Sequence, residues 1–249
     1  MHRFFVDEEN IADGRVSIGG DDFSHINLSL RLREGDRITV CTGDKKDHIV
    51  ELTDFYSDYV EGKILETKRN SAEPDLDITL VQSLPKNRNM ELVVQKMTEI
   101  GGRAIIPLET ERTIVKLSGK KKVKRHARWQ KIVAEAAKQS GRGIIPEVKS
   151  VTDFSDLLDR FSEYDLVIAF WTGEKEKGLR NILSGIGKDK IGSILLMIGP
   201  EGGFSPQEAK LIRKQGGYTC GLGPRILRTE TAGPVGTAIL LYEFGEMEV

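Results

Sequence analysis

Ile198-Gly199-Pro200-Glu201-Gly202-Gly203-Phe204-Ser205 follows a short apolar run and leads into a helix-like stretch near the C-terminal end of the sequence. A second segment of the same kind, Leu222-Gly223-Pro224-Arg225-Ile226-Leu227-Arg228-Thr229-Glu230-Thr231-Ala232, follows soon after. We call residues 198–205 the first glycine loop and residues 222–232 the second glycine loop. Strand, glycine loop and helix in succession let an α/β domain bring bare backbone close to a ligand. The two loops therefore predict one small-molecule pocket at the ends of neighbouring strands.

The sequence around these loops alternates between apolar runs and amphipathic stretches. Ile78–Leu84 is predicted to be a strand, and Leu166–Phe170 and Ile194–Ile198 are continuous apolar runs typical of buried parallel strands. Between residues 86 and 100, apolar side chains recur with helical spacing, and Gly101 stands where a C-cap glycine would end the helix. This alternation predicts an α/β fold with a parallel sheet and helices on both faces.

Sequence signals mark where a helix follows each glycine loop. Ser205, Pro206 and Glu208 have the pattern of an N-cap, a first-turn proline and a capping box. Gly216-Gly217 ends that helix, and a further helix is predicted from Glu230.

The N-terminal part of the sequence has a β-rich pattern instead. Short apolar stretches alternate there with turn signals, as in a small β-barrel. The polar segment Lys68–Asp75 separates this part from the α/β part and is predicted to be a linker. The N-terminal strands are predicted at Arg15–Ile18, Asp36–Cys41, His48–Leu52 and Tyr59–Ile64.

The composition is that of an ordinary globular protein. The chain has 249 residues, of which 39% are hydrophobic and 30% are charged, enough for one large domain or two smaller ones. Apolar runs such as Ile194–Ile198 are too short to cross a bilayer, and the N-terminus lacks the apolar core of a secretory signal. Cys41 and Cys220 are isolated, and four scattered histidines fit no metal spacing. We therefore expect a cytoplasmic protein without a metal.

Positive charge is concentrated in one segment. Between Arg112 and Arg142 there are eleven Lys or Arg residues and one acid, Glu135, although the whole chain has a net charge of −1. Segregated positive charge of this kind favours a polyanion such as nucleic acid. A solvated helix face next to a flexible basic loop would give the same pattern, so both interpretations stay open.

The glycine loops do not match the common phosphate-binding patterns. No Gly-Lys-Ser/Thr follows the first loop, and Glu201 between its glycines would repel phosphate. Taken alone, the loop could be a tight turn without a ligand. The second loop favours a ligand, because Arg225 and Arg228 flank the apolar pair Ile226-Leu227, as in an apolar pocket with a few placed polar groups.

The two glycine loops together resemble the ribosomal RNA small subunit methyltransferase E family, a family of SPOUT methyltransferases. The resemblance extends over most of the chain. Its further motifs are Arg3-Phe4-Phe5, His25, Leu30-Arg31, Gly35-Asp36, Gln95-Lys96-Met97-Thr98-Glu99-Ile100-Gly101, Arg128-Trp129-Gln130-Lys131-Ile132, Glu135-Ala136 and Gln139-Ser140.

This resemblance implies a PUA-like RNA-binding β-barrel over residues 1–72 and a SPOUT methyltransferase domain over residues 73–249, with a parallel sheet and a trefoil knot. It implies a homodimer that uses S-adenosyl-L-methionine to methylate N3 of a uridine in 16S rRNA of the small ribosomal subunit, without a metal or a membrane. Two alternatives stay open. The chain could be an RNA-binding ribosome assembly factor that has lost catalysis, or a SPOUT methyltransferase that acts on another RNA.

The resemblance also implies which residues hold the cofactor, largely through backbone that the glycines leave accessible. The loop after the strand that ends at Phe170 is expected to form a third wall beside the two glycine loops. The expected cofactor-binding residues are Phe170, Thr172, Gly173, Ile198, Gly199, Glu201, Gly202, Gly203, Leu222, Gly223, Ile226, Leu227, Arg228 and Thr231.

The expected catalytic residues follow from the chemistry of uracil. Its N3 carries a proton at neutral pH, so a base must accept that proton or the developing anion must be stabilised. Arg228 is the candidate for stabilising the anion, and Glu201 and Glu230 are the candidates for the proton acceptor. Glu230 has an equally simple alternative role, as a carboxylate at a helix N-terminus.

The expected RNA contacts lie mainly in the basic segment. Lysine and arginine there would neutralise phosphates without reading the base sequence. His25 could instead be an ordinary packed or surface histidine. The expected RNA-binding residues are Arg3, His25, Arg31, Lys120, Lys121, Lys122, Lys124, Arg125, Arg128 and Arg225.

Overall fold

The computed structural model describes residues 1–248, and these form two compact units. The first unit consists of Met1–Glu73 together with Ala137–Ile145. The second unit consists of Pro74–Ala136 and the chain from Pro146 onward.

The first unit is built on a six-stranded sheet with the order β1-β4-β5-β6-β3-β2. Neighbouring strands are antiparallel except for β1 and β4, which are parallel. The predicted strands are confirmed, whereas closure of the sheet into a PUA-like barrel stays a prediction. The strands are β1 (Arg3–Phe5), β2 (Ile11–Ala12), β3 (Arg15–Gly19), β4 (Arg37–Cys41), β5 (Lys46–Phe55) and β6 (Tyr59–Arg69).

Alternating side chains of these strands form the core of the first unit. Phe4, Val16, Ile38 and Val50 are among its buried members, as the period of two in a half-buried strand requires. A short helix, α1 (Gly20–Ser24), continues into a π-helical segment that ends at Arg31, whose φ is 55°.

The predicted linker Lys68–Asp75 contains the boundary between the two units, at Glu73 and Pro74, but several of its polar residues are not in solvent. Strand β6 runs to Arg69, and both Asn70 and Glu73 are buried. The Glu73 carboxylate accepts hydrogen bonds from Arg142 Nε at 2.7 Å and Nη2 at 2.8 Å, and from the backbone N–H of Gly143 at 2.8 Å. The polar residues of this segment are satisfied by protein groups instead of by solvent. Arg142, which the sequence places in the basic segment, is therefore not available to a polyanion.

The second unit contains a parallel sheet with the order β10-β8-β7-β12-β11-β13, and β9 pairs with β8. This confirms the predicted α/β fold. The strands are β7 (Asp77–Ser83), β8 (Ala104–Glu109), β9 (Glu147–Val148), β10 (Thr152–Asp153), β11 (Leu166–Phe170), β12 (Ser193–Ile198) and β13 (Tyr218–Cys220). The remaining helices of the chain are α2 (Asn89–Ile100), α3 (Gly119–Ser140), α4 (Phe154–Leu158), α5 (Leu179–Leu183), α6 (Pro206–Lys214) and α7 (Thr229–Glu243).

Helices cover both faces of the parallel sheet. On one face, Leu157 of α4 and Ile212 of α6 pack in one core cluster with Val81 and Leu195 of the strands. On the other face, α7 packs on β7 and β12, and α2 packs on α7. Helix α7 approaches the sheet closely, because a Cβ added at Gly236 would lie only 2.3 Å from Phe170 Cε2. That position has room for glycine alone.

The buried ion pair predicts a large loss of stability in Glu73→Gln. The side chains of Glu73 and Arg142 are only 1% and 2% exposed, and removing one charge of a buried pair costs about 3–5 kcal/mol because the other charge is left uncompensated. Urea unfolding of the full chain measures the effect. The matched control is Glu163→Gln, whose partner Arg160 lies at the surface, and we expect little change there. Equal losses in the two variants would contradict this account.

Candidate functional site

The carboxyl ends of four parallel strands of the second unit lie side by side, and the candidate site lies at these ends. In the register of the sheet, Gln82 of β7 faces Ile198 of β12, Ile198 faces Phe170 of β11, and Phe170 faces Cys220 of β13. The connections that follow these strands therefore emerge along one edge, which we call the carboxyl edge. Both glycine loops start there, as the sequence predicts, and ligands of open α/β sheets bind outside this edge.

A buried hydroxyl connects the two glycine loops directly. Thr229 Oγ1, in the second loop, donates a hydrogen bond to the Gly199 carbonyl of the first loop at 2.7 Å. The Gln82 side-chain amide donates to the same Thr229 hydroxyl at 2.8 Å. The loops are thus in contact through groups that sequence reasoning did not place in the site, because Gln82 belongs to a strand far away in the chain.

The first glycine loop folds back tightly on itself. The Gly203 N–H donates to the Pro200 carbonyl at 2.8 Å, and Gly203 has a φ of 63°, which favours glycine. A Cβ added at Gly199 would lie 2.8 Å from the Phe204 nitrogen, so backbone occupies the space that a side chain would need. The predicted capping box is confirmed, with Glu208 N donating to Ser205 Oγ at 3.2 Å and Ser205 N donating to Glu208 Oε2 at 2.7 Å.

The connection after β11 forms a third side of the site. The Trp171 indole N–H donates to the Phe204 carbonyl at 3.0 Å, and a Cβ added at Gly203 would lie 3.4 Å from Thr172 Oγ1. Further along this connection, the Lys177 carbonyl accepts from the Gly221 N–H at 2.9 Å. Three connections therefore meet at the carboxyl edge, and much of the surface that they present is main chain.

Charged side chains surround this main-chain surface. Glu201 Oε1 accepts from the Lys86 N–H at 2.8 Å, and Arg112 Nη1 donates to the Gly202 carbonyl at 2.8 Å. Sequence reasoning counted Arg112 only as part of the basic segment, and no local signal connects it with the glycine loop. Both contacts hold the first glycine loop against neighbouring connections.

The second glycine loop presents its charged side chains to solvent. The Arg228 side chain is 87% exposed, and its Nη1 lies 4.0 Å from Glu230 Oε1. Arg225 is exposed as well. Ile226 is 85% exposed, so the predicted apolar pair does not form a buried wall; only Leu227 is partly covered.

The predicted RNA-binding residues differ in solvent exposure and in whether they pair with acidic side chains. In α3, Lys120, Lys121 and Lys124 are exposed, and Lys122 and Arg125 are partly buried. Arg128 Nη2 is bonded to Glu91 at 2.7 Å. These side chains give α3 a basic face before its C-terminal turns.

In the first unit, Arg3 has a partner that sequence reasoning missed. Its Nη2 donates to Asp47 Oδ2 at 2.9 Å, and its side chain is mostly buried. Burial alone would raise the pKa of Asp47, but hydrogen bonds from Arg3 and Asn70 outweigh it and lower that pKa. His25 and Arg31 are exposed.

Neither cysteine is a nucleophile near neutral pH. Cys41 and Cys220 are both free and buried. Burial raises the pKa of each thiol to about 12, so the reactive thiolate is scarce at physiological pH. Although Cys220 ends β13 beside the site, its thiol therefore serves as core packing.

Other features of the described residues lie away from the carboxyl edge. A cavity of about 200 Å³ opens at the amino ends of β11 and β13, lined in part by Asp159, Tyr164 and Gln215. Within residues 1–248, no three His, Cys, Asp or Glu side chains are placed to hold a metal ion. No helix in the described part of the chain is long and apolar enough to span a membrane.

Comparison with known proteins connects this geometry with one group of enzymes. An RNA methyltransferase domain family matches residues 72–241. The chain is 36% identical to the ribosomal RNA small subunit methyltransferase E of Bacillus subtilis, over 98% of this chain and 97% of that protein. It is 32% identical to the protein of the same name from Synechocystis, over 95% and 76%. The crystal structure of the Neisseria gonorrhoeae protein of that name, bound to S-adenosyl methionine, is 35% identical, covers 98% of each chain and has a TM-score of 0.83.

The tight fold of the first glycine loop predicts that Gly199→Ala distorts it. The added methyl group would meet backbone atoms of Gly203 and Phe204, which cannot move aside as a flexible side chain can. We expect a loss of about 1–3 kcal/mol in the free energy of unfolding and a change in Trp171 fluorescence, because its indole bonds to Phe204. Gly187→Ala is the control, since a Cβ there meets nothing within 4 Å. Unchanged stability and fluorescence in Gly199→Ala would disprove the steric argument.

Proposed function

The chain belongs to the ribosomal RNA small subunit methyltransferase E family, and from this premise we propose that it methylates N3 of a uridine in 16S rRNA, using S-adenosyl-L-methionine. The observation that carries the proposal is the hydrogen bond from Thr229 to the Gly199 carbonyl. It joins the two glycine loops into one main-chain surface at the edge of the sheet where α/β enzymes bind their ligands.

The chain's own residues fit such a cofactor. S-adenosyl-L-methionine supplies a methyl group that its sulfonium already activates. The loops offer bare backbone at Gly202 and Gly203 for close approach and hydrogen bonding, as an adenosine requires. We propose that the cofactor contacts Phe170, Thr172, Gly173, Ile198, Gly199, Glu201, Gly202, Gly203, Leu222, Gly223, Ile226, Leu227, Arg228 and Thr231.

Arg228 is proposed to stabilise the uracil anion that forms as N3 loses its proton. Its side chain is 87% exposed, and Glu230 lies at the 4.0 Å limit of an ion pair, so the arginine can turn toward a carbonyl oxygen of the base. A fixed positive charge placed where negative charge develops is an effective catalytic device.

Glu201 and Glu230 remain the two candidates for the proton acceptor. Glu201 has one carboxylate oxygen engaged by the Lys86 N–H, which leaves its other oxygen for a proton. Glu230 lies in the first turn of α7, and its side chain is only 12% exposed, whereas Glu201 is exposed. This difference favours Glu201.

The RNA substrate is proposed to bind along the exposed basic side chains. Lys120, Lys121, Lys122, Lys124 and Arg125, together with Arg128, would neutralise phosphates, and Arg225 would contact backbone near the target base. In the first unit, a PUA-like RNA-binding role would fall to His25 and Arg31, with Arg3 held by Asp47 beneath the surface.

We further propose a cytoplasmic homodimer whose C-terminal part is knotted. Ile239 and Tyr242 of α7 are exposed apolar side chains of the kind that a second copy would cover. After β13 at the sheet edge, the chain returns in α7 to pack on β12 and β7, a path compatible with a trefoil knot.

The anion-stabilising role predicts the behaviour of Arg228→Ala. We expect the rate of methyl transfer at saturating cofactor to fall by about 10²–10³-fold, beyond any loss of cofactor affinity that removal of the Arg228 contact causes. Methyl transfer is measured by incubating the protein with labelled S-adenosyl-L-methionine and small ribosomal subunits from a strain that lacks the gene. Mapping the label on the rRNA then identifies the methylated base. Arg225→Ala is the matched control in the same loop and should retain the rate of the chemical step. Full turnover in Arg228→Ala would rule out this role, and failure of the unaltered chain to bind the cofactor would favour an assembly factor.

The basic face of α3 predicts a strong salt dependence of RNA binding. The association constant K for RNA decreases with salt, and the slope of log K against log salt concentration is negative. The magnitude of that slope decreases by about 0.7–0.9 for each phosphate contact that is lost. We therefore expect a Lys120→Gln, Lys121→Gln double variant to reduce this magnitude by about 1.4–1.8. Filter binding to small-subunit RNA measures it. A Lys210→Gln, Lys214→Gln variant removes the same charge from exposed positions of α6 and should leave the slope unchanged; an equal effect would mean that α3 has no special role.

A further inference from the structure

A continuous chain of hydrogen bonds joins three segments at the carboxyl edge. The Gln82 side-chain amide donates to the Ser83 carbonyl at 3.1 Å and to Thr229 Oγ1 at 2.8 Å. Thr229 Oγ1 donates in turn to the Gly199 carbonyl at 2.7 Å. Gln82 is 0% exposed and Thr229 is buried as well, so bulk water does not compete for these bonds.

The two ends of this chain fix the direction of every bond in it. The carbonyl oxygens of Ser83 and Gly199 can only accept. Gln82 must therefore turn its NH2 group toward Ser83 and Thr229, and the single hydroxyl proton of Thr229 must go to Gly199. By donating to the Thr229 hydroxyl, Gln82 sets the rotation of that hydroxyl and keeps its proton directed at Gly199.

One polar atom of Gln82 has no partner in this arrangement, within the part of the chain that the structure describes. Gln82 Oε1 has no hydrogen-bond partner among residues 1–248, and a buried acceptor without a partner is destabilising. Its surroundings are closely packed, because a Cβ added at Gly233 of α7 would lie 3.2 Å from this oxygen. The contribution of a glutamine at this position therefore comes from the two hydrogen bonds that its NH2 group donates.

The segments that the chain holds are those that carry the proposed chemistry. Gln82 faces Ile198 in the register of the sheet, directly before Gly199 and the first glycine loop. Thr229 is the first residue of α7 and directly follows Arg228. The distance between the first glycine loop and the backbone of Arg228 therefore depends on the bonds of Thr229.

We propose that Gln82 and Thr229 are positioning residues for methyl transfer. They hold the main chain of the first glycine loop and the base of the Arg228 side chain in one relative position, so that cofactor and target base bind in a single geometry. This inference rests on the proposed function and adds two residues that contact neither the cofactor nor the base through their side chains.

Isosteric variants test the proposal. Thr229→Val and Gln82→Met keep the volume but remove the donors, whereas Thr229→Ser keeps the hydroxyl. Thr237→Val is the matched control, because Thr237 is a fully buried threonine of the same helix whose hydroxyl contacts Met97 Sδ at 3.1 Å. Three measurements are made on each full-length variant: the melting temperature, calorimetric titration with S-adenosyl-L-methionine, and amide hydrogen exchange of residues 199–204 without ligand.

We expect Thr229→Val and Gln82→Met to weaken cofactor binding about tenfold or more and to speed exchange in residues 199–204 by a similar factor, because a buried carbonyl loses its donor. Thr229→Ser should keep both the cofactor affinity and the exchange rate of residues 199–204 within about threefold of the unaltered chain. Thr237→Val should lower the melting temperature and leave binding and local exchange unchanged. Wild-type binding and exchange in Thr229→Val would overturn the proposal, and so would an equal loss of binding in Thr237→Val.

The proposed function and the positioning role of Gln82 and Thr229 are tested by different measurements. If the unaltered chain does not bind S-adenosyl-L-methionine, the proposed function is wrong. Hydrogen exchange without ligand still decides whether Gln82 and Thr229 hold the first glycine loop, because that measurement needs no cofactor. Unchanged exchange in both isosteric variants would overturn the coupling even if the enzyme is active.

Discussion

The close packing of α7 on the parallel sheet determines the geometry of the carboxyl edge. Gly233 and Gly236 face the strands where an added Cβ would collide with Leu80 and Phe170. Their lack of side chains lets the helix axis lie deep, and this depth brings Thr229 within 2.7 Å of the Gly199 carbonyl. A helix displaced outward by the width of one methyl group would leave the two glycine loops unconnected. The site therefore depends on a steric contact made one and two turns below it.

Main chain and side chains have different roles at the carboxyl edge. Gly202 is exposed and Gly203 is partly exposed, whereas Gly199 is buried, so the backbone that the first glycine loop offers to a ligand lies at residues 202 and 203 and adds no charge. The nearby charged groups Glu201 and Arg112 are used to hold that backbone, through the Lys86 N–H and the Gly202 carbonyl.

The features that the sequence predicted are those set by local pattern or by general topology. The capping box at Ser205 and the C-cap at Gly101 depend on neighbours in the chain, and parallel strands place the loops after them on one edge. The contacts that the sequence did not predict join residues far apart in the chain. Gln82 and Thr229 are 147 positions apart, and Glu73 and Arg142 are 69 positions apart. The polar sequence of residues 68–75 does not reveal its buried contacts for the same reason, because polarity alone does not show whether a side chain contacts water or a buried partner.

The contrast among the arginines supports the catalytic role proposed for Arg228. Arg142 is enclosed by Glu73, and Arg112 is bonded to a loop carbonyl, so turning either toward a substrate would break an existing contact. Arg228 has its guanidinium in solvent and its own carbonyl fixed by the N–H groups of Thr231 and Ala232. A cation that is held at its backbone and whose only ion-pair partner among the described residues, Glu230, lies 4.0 Å away can be directed at developing charge with little loss of existing contacts. Its effect on the reaction depends on the bound base holding the guanidinium in place, because electrostatic stabilisation requires a preorganised group.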